Sequence, residues 1–381
     1  MRRILIHSRV AVFGRSFSTE VENTITSRRN WFPVSPDSVP SKDTITVSSY
    51  NLLSQHYMWE NVYDHIAPKY TSWEFRLPLI NQNMLDLCSL VDLMCFQEME
   101  FKVYTECWKE LLGKQGYESL FQRKRASSYW KKSPEEMDGV SVFYNTEKFE
   151  LLDCKPVDLA AHFSSPDLFI QTKDLHERAV KQNTVALIVT LRHKSTGAVI
   201  FLANTHLYWS PQYSDVKLLQ TYLLVGLIKQ TMKQHFSVNN ADLEELMREG
   251  RTNVFLVGDF NSAPDSMVYE YLDKGYLAIG EDYRIPFDYG QANDTVIKTG
   301  LLQFCSSYKS FVNSPGFIES KHSQAFERLI DYIWINKYSK NLKLSKVLGD
   351  LNPKIPSDLL QFPNRCYPSD HLPLLAQFEI Q

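Results

Sequence analysis

Residues 253–261 read NVFLVGDFN, an apolar run that ends in a carboxylate and an amide, Asp259 and Asn261. The apolar run predicts a buried strand. A carboxylate directly after such a run is costly to bury unless it is paired or binds a metal. The stretch therefore predicts a strand whose end carries chemistry, with an ordinary Asx turn as the structural alternative.

The same pattern recurs at five further strand ends. Polar side chains that can bind a metal or move a proton occur there at Asn51, Glu98, Asn204, His206, Asp331, Asp370 and His371. One such residue alone is typical of a strand cap, but six strand ends in one chain indicate a shared site. Oxygen ligands suit a hard divalent ion such as Mg²⁺. Phosphodiester hydrolysis needs that ion, an activated water and hydrogen-bond donors, and this set can supply all three.

The remaining periodicity predicts strands mixed with helices. Strand patterns occur at 45–53, 91–98, 139–145, 149–159, 184–193, 198–207, 329–336, 341–348 and 372–380, and helix patterns at 74–91, 102–114 and 215–235. The strands at 184–193 and 198–207 are predicted to form a hairpin, and those at 139–145 and 149–159 to be neighbours. Hairpins mixed with helices favour the α+β class, with packed sheets and helices outside.

Composition limits the alternatives. The 381 residues include 41 Lys+Arg and 44 Asp+Glu, a formal charge of −3, with 44% apolar residues. These values are typical of a globular chain and exclude a broadly disordered or collagen-like one. No apolar run reaches the roughly 18 residues of a membrane span, so none is expected. The six cysteines form no metal-binding pattern, and reduced thiols are expected.

Six strings with characteristic residues occur in a fixed order. They are SYNLLSQ (49–55), FQEME (96–100), NTHLYWSPQYSDVKLLQ (204–220), LVGDFNSAPDS (256–266), IDYIW (330–334) and YPSDHLPL (367–374). This set resembles the endonuclease/exonuclease/phosphatase superfamily, and within it the deadenylase branch with nocturnin, the carbon catabolite repressor deadenylases and the 2′-phosphodiesterases. The strings YWKKSPEEMDGVSVFYN (129–145) and NTHLYW are most similar to fungal mitochondrial Ngl-type RNA exonucleases. The resemblance covers residues 44–381 and implies a four-layer αββα sandwich of two packed mixed sheets flanked by helices.

The resemblance also implies which residues bind the metal and the attacking water. Glu98 would be the principal Mg²⁺ ligand, with Asn51 beside it and Asp370 in the same metal shell, and Mn²⁺ is the alternative ion. Asp259 would accept a proton from the attacking water. Asn261 would orient that water or a phosphate oxygen.

Two histidines are expected to act on the phosphate. By the same resemblance, His371 would donate to the scissile phosphate, oriented and kept cationic by Asp331. His206 would contact the phosphate as charge develops. The structural alternative for Asp331 is a buried, hydrogen-bonded acid without a function.

Three further residues are expected to contact the substrate. Asn204 lies two residues before His206. Pro211 and Phe326 match the deadenylase residues that sandwich the terminal adenine, with a core position as the alternative for Phe326. A clamp of this kind would favour adenine by stacking, without reading its hydrogen-bonding edge.

The predicted function is a Mg²⁺-dependent 3′–5′ exoribonuclease that acts on single-stranded RNA, either preferring poly(A) or trimming RNA 3′ ends generally. The alternatives are a 2′–5′ phosphodiesterase, a dinucleotide 2′-phosphatase, or an inactive RNA-binding relative. Nocturnin has basic residues after its NTHL string, whereas Tyr208 and Trp209 follow here, which makes the dinucleotide activity the weaker alternative. The chain has no leucine-rich-repeat docking module, so membership of a deadenylase complex is not expected.

A basic segment is the candidate RNA contact outside the strand ends. FQRKRASSYWKK (121–132) holds five cations interleaved with Tyr129 and Trp130. Cations for phosphates and ring faces for bases are what a single-strand track needs. The alternative interpretation of this segment is a solvated loop without an RNA contact.

The amino-terminal segment differs in composition from the rest. Residues 1–19 hold four arginines and no acid, which is typical of a mitochondrial transit peptide, and a matrix location is expected. The alternative is a disordered basic tail on a cytoplasmic protein. Residues 20–43, with three prolines among polar residues, are predicted to be a linker, and residues 44–381 the folded domain.

Overall fold

Two mixed β-sheets of seven and six strands pack face to face. The computed structural model describes residues 25–26, 28–34, 43–126, 130–279, 283, 285–290, 296–311, 321–323, 326–351 and 361–381. The seven-stranded sheet contains, in spatial order, β1 (Arg29–Pro33), β16 (Leu342–Leu351), β17 (Leu374–Ile380), β2 (Thr44–Asn51), β3 (Leu93–Glu100), β5 (Asp138–Asn145) and β4 (Tyr117–Arg123). The six-stranded sheet contains β12 (Phe304–Ser306), β15 (Asp331–Asn336), β9 (Asn253–Asp259), β8 (Val199–His206), β7 (Val185–His193) and β6 (Phe149–Asp158).

One parallel pair in each sheet determines where the polar strand ends meet. β2 runs parallel to β3, and β8 runs parallel to β9, whereas the other strand pairs of the two sheets are antiparallel. Parallel neighbours end at the same edge of a sheet, and β15 begins at that edge because it is antiparallel to β9. In register, Asp259 therefore lies between His206 and Asp331.

Helices cover the outer face of each sheet. The seven-stranded sheet carries α2 (Trp73–Cys88), α3 (Phe101–Val103), a π-helical turn (Tyr104–Trp108) and α4 (Lys109–Gly113), and the short α1 (Pro68–Thr71) precedes α2. The six-stranded sheet carries α5 (Leu159–Phe163), a π-helical turn (Leu175–Val180), α6 (Ser214–Phe236), α7 (Asn240–Arg248) and α8 (Met267–Lys274). Met84 of α2 is buried with Met94 of β3, and Leu224 of α6 with Phe201 of β8. The four-layer αββα sandwich expected from the sequence is confirmed.

Short elements complete the connections. Two hairpins pair β10 (Tyr276–Ala278) with β11 (Val296–Lys298) and β13 (Lys321–Ser323) with β14 (Phe326–Arg328). The 3₁₀ turns lie at Gln55–Tyr57, Pro134–Glu136, Pro211–Tyr213 and Lys309–Phe311. Within the described residues, no helix combines the length and the apolar character needed to cross a membrane.

The hairpin of β7 and β8 is present, but the expected pairing of residues 139–145 with 149–159 is wrong. β5 pairs with β3 and β4, whereas β6 lies in the other sheet and pairs with β7 from Phe149 opposite His193 to Asp158 opposite Val185. The turn between β5 and β6 carries the chain from one sheet to the other. Sequence proximity favoured a hairpin, but β7 offers β6 a partner along its whole length.

A strand also lies inside the segment 20–43, which the sequence predicted to be a linker. β1 pairs with β16 at the edge of the seven-stranded sheet, where the missing N–H of Pro33 is tolerated. The Arg29 guanidinium is buried and donates to the carbonyls of Gly349 at 2.7 Å and Pro373 at 2.6 Å. The paired part of the chain therefore begins before Asp43. Residues 1–24, including the predicted transit peptide, lie outside the described residues.

Candidate active site

Asp259 lies at the centre of a polar cluster where the edges of the two sheets meet. It is the last residue of β9 and is only 1% exposed. Its Oδ2 lies 3.6 Å from Nε2 of His206 and 3.8 Å from Nε2 of His371. One carboxylate oxygen therefore faces two imidazole rings, which is a suitable arrangement for proton transfer.

An irregularity in β3 aims Glu98 into this cluster. The register between β3 and β5 shifts between Phe96 and Met99, and Glu98 has a φ of 53°. Side chains with a Cβ rarely adopt this left-handed region, and such residues occur preferentially at functional sites. Oε2 of Glu98 accepts a hydrogen bond from the backbone N–H of Ser54 at 2.9 Å.

Asn51 connects the carboxylates of the two sheets. Its Nδ2 donates to Oε1 of Glu98 and to Oδ2 of Asp259, both at 3.0 Å. Its Oδ1 accepts from the backbone N–H of Leu53 at 2.9 Å. The two carboxylate partners determine the orientation of the amide. Asn51 therefore holds Glu98 and Asp259 at a defined separation.

His371 and Asp331 form a buried pair. His371 Nδ1 lies 2.8 Å from Oδ2 of Asp331, and both residues are at most 2% exposed. Because its partner is a carboxylate, Nδ1 carries a proton, and Nε2 points toward Asp259 and Asp370. The backbone N–H of His371 donates to Oγ of Ser369, which helps to orient the ring.

Asn261 forms a tight turn after β9 with a φ of 47°. Its backbone N–H donates to Oδ1 of Asp259 at 2.8 Å, and its Nδ2 donates to the carbonyl of Leu207 at 3.0 Å. A residue that sequence reasoning missed supports this turn: Nζ of Lys217 in α6 donates to the Asn261 carbonyl at 2.6 Å. Lys217 is 5% exposed, and burial lowers its pKa to about 8. The sequence signal that could have identified Lys217 is a lysine within an otherwise apolar run, Val216–Leu219.

Two further residues that were missed support Asp370. The Tyr63 hydroxyl donates to Oδ2 of Asp370 at 2.9 Å, and burial raises the pKa of Tyr63 well above its usual value. The guanidinium of Arg76 is fully buried and donates to the carbonyls of Pro368 at 2.6 Å and Leu52 at 3.0 Å. It therefore ties the segment before Asp370 to the end of β2. The signal for Arg76 was a cation on the buried stripe of a predicted helix.

The hydrogen bonds of Asn204 run between the two sheets, so its predicted substrate contact stays a prediction that these bonds do not support. Its Nδ2 donates to the carbonyls of Phe96 at 3.0 Å and Ser141 at 2.8 Å, and its Oδ1 accepts from Nε2 of Gln97 at 2.8 Å. These bonds join β8 to strands of the opposite sheet and use both amide hydrogens. The residue is 0% exposed and connects the two sheets.

The structure describes the surroundings of only one of the two predicted adenine-clamp residues. Pro211 begins an exposed 3₁₀ turn five residues after His206. Phe326 begins β14, opposite Ser323, and its side chain lies outside the part of the chain that the structure describes. Their predicted contact with a base remains a prediction.

The basic segment 121–132 is less available to phosphate than its composition implies. Lys124 is 7% exposed and pairs with Asp138 at 2.6 Å. Arg125 pairs with Asp158 at 2.7 Å. Residues 127–129, including the predicted contact Tyr129, lie outside the described part of the chain. At least two of the five cations are therefore engaged by carboxylates.

The donor groups of the cluster fit a divalent metal ion. Asp259, Asp331 and His371 each place a potential ligand atom within 4.8 Å of one another. The hydrogen bond between Asp331 and His371 explains the proximity of those two residues. The carboxylates of Glu98 and Asp370 offer the hard oxygen atoms that Mg²⁺ or Mn²⁺ binds.

Comparison with known proteins identifies the family. The Endonuclease/Exonuclease/phosphatase family profile matches residues 49–371, and the chain belongs to this family, as its motifs predicted. The Ccr4 subunit of Saccharomyces cerevisiae, described as a CCR4-Not complex 3′-5′-exoribonuclease subunit, is 33% identical over 89% of this chain and 39% of its own length. The chain thus spans about two fifths of the Ccr4 relatives that it matches.

Two further relatives match this chain over nearly their whole compared length. The RNA exonuclease NGL1 of Saccharomyces cerevisiae is 29% identical over 88% of this chain and 92% of its own length. Among solved structures, ANGEL2, a 2′,3′-cyclic phosphatase in complex with adenosine-2′,3′-vanadate, has a TM-score of 0.71 and 25% identity over 92% of this chain and 98% of its own.

Proposed function

We propose that this chain is a metal-dependent 3′–5′ exoribonuclease that hydrolyses phosphodiester bonds with a water activated beside Asp259. One geometric observation carries the proposal: Asn51 bonds to both Glu98 and Asp259, while His206 and Asp331 flank Asp259 in register. The activities named for Ccr4 and NGL1 support this reaction.

Asp259 accepts the proton of the attacking water. Its Oδ1 accepts from the N–H of Asn261, and its Oδ2 accepts from Asn51 and faces both histidines, so Oδ2 is the oxygen that takes the proton. Asn261 orients the water or a phosphate oxygen from the same turn. A positioned general base contributes about 10²- to 10⁴-fold to the rate.

His371 stabilises the charge that develops on the phosphate. Asp331 holds Nδ1–H, and Nε2–H donates to a phosphate oxygen. His206 contacts the phosphate as well, since its Nε2 lies 3.6 Å from Oδ2 of Asp259, the oxygen that His371 also faces.

Glu98 and Asp370 would hold the divalent ion, for which we propose Mg²⁺ with Mn²⁺ as the alternative. When bound, such an ion would neutralise phosphate charge and lower the pKa of a coordinated water. Asn51 stands beside Glu98 as predicted, but its amide oxygen already accepts from Leu53, which supports a role in holding Glu98. Tyr63 holds Asp370 in the same way.

A substrate panel tests the reaction. The purified chain is incubated with 5′-labelled single-stranded RNA of mixed sequence, poly(A), single-stranded DNA and 2′–5′ oligoadenylate, with Mg²⁺, Mn²⁺ or EDTA. We expect a ladder shortened one nucleotide at a time from the 3′ end, abolished by EDTA and by the Glu98→Gln variant. Metal-independent cleavage, or cleavage only of 2′–5′ linkages, contradicts the proposal.

The likeness to ANGEL2 supports a second candidate, a phosphatase that acts on RNA ending in a 2′,3′-cyclic phosphate. The panel therefore includes the same RNA with a 2′,3′-cyclic phosphate end. Loss of the terminal phosphate without shortening of the chain favours this candidate over the exonuclease.

We propose a moderate preference for adenine at the 3′ end of the RNA, based on the predicted stacking of the base between Pro211 and Phe326. Stacking of one base on an aromatic face is worth about 1–3 kcal/mol. Phe326→Ala should lower kcat/KM on poly(A) by about 5- to 150-fold, and that on poly(C) by less. An equal loss on both polymers, or a large drop in Tm, identifies Phe326 as a packing residue.

We also propose mitochondrial import, on the composition of residues 1–19. A fluorescent reporter fused after residue 19 should colocalise with a matrix marker, and a matched fusion with the four arginines changed to glutamine should not. A reporter that stays in the cytoplasm contradicts this location.

A further inference from the structure

Two half-exposed tryptophans meet on the loops that leave the active-site strands. Trp59 is 48% exposed and Trp209 is 59% exposed, and their rings meet edge to face with centroids 6.4 Å apart. Trp209 follows His206 by three residues, and Trp59 follows Asn51 by eight. An edge-to-face contact covers at most one face of one ring, and the exposed fractions show that about half of each tryptophan is open to solvent.

The loop that carries Trp209 is firmly supported, although the indole itself is exposed. The backbone N–H of Tyr208 donates to Oε1 of Gln220 at 3.1 Å, and the Tyr208 ring packs against Tyr213 with centroids 4.9 Å apart. The guanidinium of Arg178 lies 4.2 Å from the Tyr213 ring centre. The position of Trp209 is therefore defined before any ligand binds.

The loop that carries Trp59 is tied directly to the metal side of the site. The carbonyl of Trp59 accepts from the backbone N–H of Tyr63 at 3.1 Å, and the Tyr63 hydroxyl bonds to Asp370. The Trp59 ring also packs edge to face against Tyr57, with centroids 6.1 Å apart. Both indoles thus stand on segments whose positions are coupled to the reacting groups.

The ligand that matches this surface is a nucleobase. Exposed apolar surfaces mark interaction sites, and these two rings stand on loops that leave strand ends of the candidate active site. Formal charge on the whole chain is −3, and Lys124 and Arg125 are paired with carboxylates. These two cations are therefore less available to phosphate, and base stacking is a suitable source of affinity for a single strand.

We propose that Trp59 and Trp209 form a stacking platform for a base of single-stranded RNA, on the 5′ side of the scissile bond. This inference rests on the proposed exoribonuclease function and adds a second base-binding position to the predicted clamp at Pro211 and Phe326. The platform binds any base, because every base offers a flat face.

The test pairs tryptophan variants with abasic RNA. The substrate is a 5′-labelled ten-nucleotide RNA of mixed sequence. It is used intact and as five variants, each of which has a single abasic ribose at a different one of the last five positions. Trp59→Ala and Trp209→Ala should lower kcat/KM on intact RNA by about 5- to 150-fold. Trp209→Phe should retain most of the rate, because phenylalanine keeps a ring face. Tyr276→Ala, at a half-exposed aromatic of β10, is the matched control and should have no effect.

One abasic position should also lower kcat/KM for the wild-type chain, and in Trp209→Ala that loss should disappear, because the base and the ring act as one pair. Equal sensitivity to abasic sites in both proteins, or a Tm drop that accounts for the lost rate, overturns the platform while the exoribonuclease proposal stands. If the wild-type chain does not shorten RNA, the proposed function fails. Anisotropy of the labelled RNA then decides the platform: weaker binding by the alanine variants supports it, and equal binding overturns it.

Discussion

The two sheets deliver their active-site residues in different ways. The six-stranded sheet supplies His206, Asp259 and Asp331 from three adjacent strand ends, and regular hydrogen-bond register alone brings them together. The seven-stranded sheet supplies Glu98 from an irregular position in β3 and Asn51 from its parallel neighbour. Regular register holds neighbouring side chains at fixed spacing, whereas a bulge re-aims a single side chain.

Backbone conformation reinforces this contrast. Among the described residues, the non-glycine residues with positive φ are Leu53, Glu98, Ser237 and Asn261. Ser237 caps the end of α6, but the other three lie in or beside the site. Unfavourable conformations are thus concentrated where Glu98 and Asn261 must point in a defined direction. We propose a metal-binding half around Glu98 of the seven-stranded sheet. We propose a proton-transfer half made of Asp259 and Asp331 of the six-stranded sheet together with His371 from the segment before β17.

The largest expected losses of kcat come from one variant in each half, and their metal dependence distinguishes the two halves. Glu98→Gln and Asp259→Asn should each lower kcat by about 10²- to 10⁴-fold or more while RNA binding largely survives, because both act on the water and the metal. Raising the Mg²⁺ or Mn²⁺ concentration should restore part of the rate of Glu98→Gln and little of that of Asp259→Asn. Metal titrations of kcat for both variants measure the difference.

If kcat of the two variants depended on metal concentration in the same way, the assignment of separate metal-binding and proton-transfer halves would be wrong. Near-normal turnover of either one would contradict its placement in the site. Circular dichroism and Tm serve as controls, since each substitution keeps the side-chain shape.

A smaller loss is expected from Asp331→Asn. The asparagine can still bond to Nδ1 of His371 but no longer stabilises a positive charge on the ring. We expect kcat to fall by about 10²-fold with little change in KM, because the lost interaction acts mainly on the developing charge. A change in KM alone would place Asp331 outside the proton-transfer half.

Lys217 tests whether the Asn261 turn needs its support. Lys217→Met should lower kcat by about 10- to 100-fold by releasing the Asn261 carbonyl, because small misplacements near the reacting groups are costly. Lys217→Arg should restore part of the rate, which a loss of packing alone would not explain.

The pH profile of the same variants gives an independent measurement. Burial lowers the pKa of Lys217 to about 8, so the lysine is charged below that pH and neutral above it. The wild-type rate should therefore decline above about pH 8, whereas Lys217→Arg keeps its charge and should lose this decline. An unchanged profile in Lys217→Arg would assign the decline to another group.

The smallest effect on kcat is expected from Asn204→Ala, because this substitution removes hydrogen bonds between the two sheets and none to the site residues. The substitution leaves the carbonyls of Phe96 and Ser141 without their donor, and each unsatisfied buried group costs about 1–3 kcal/mol. Tm should fall clearly, while kcat of the folded fraction stays within about threefold of the wild-type value. A large loss of kcat at unchanged Tm would return Asn204 to the substrate contacts.

Sequence alone was sufficient for the strand ends and for the residue types found there. An apolar run followed by a carboxylate, as in NVFLVGD, is a local pattern that can be recognised without knowledge of the rest of the fold. The ordered motifs then predicted the family and the αββα sandwich. The hairpin of β7 and β8 was predictable for the same reason, because the turn and both strands are adjacent in the chain.

Only the tertiary structure decided which polar residues face the site and which support it. Asn51 and Asn204 are both asparagines near strand ends, yet Asn51 joins two carboxylates of the site and Asn204 joins two sheets. The partner Asp259 lies 208 residues from Asn51, and Phe96 lies 108 residues from Asn204. Hydrogen-bond partners this distant depend on how the sheets pack. The support from Lys217, the pairing of Lys124 and the separation of β5 from β6 depended on that packing as well.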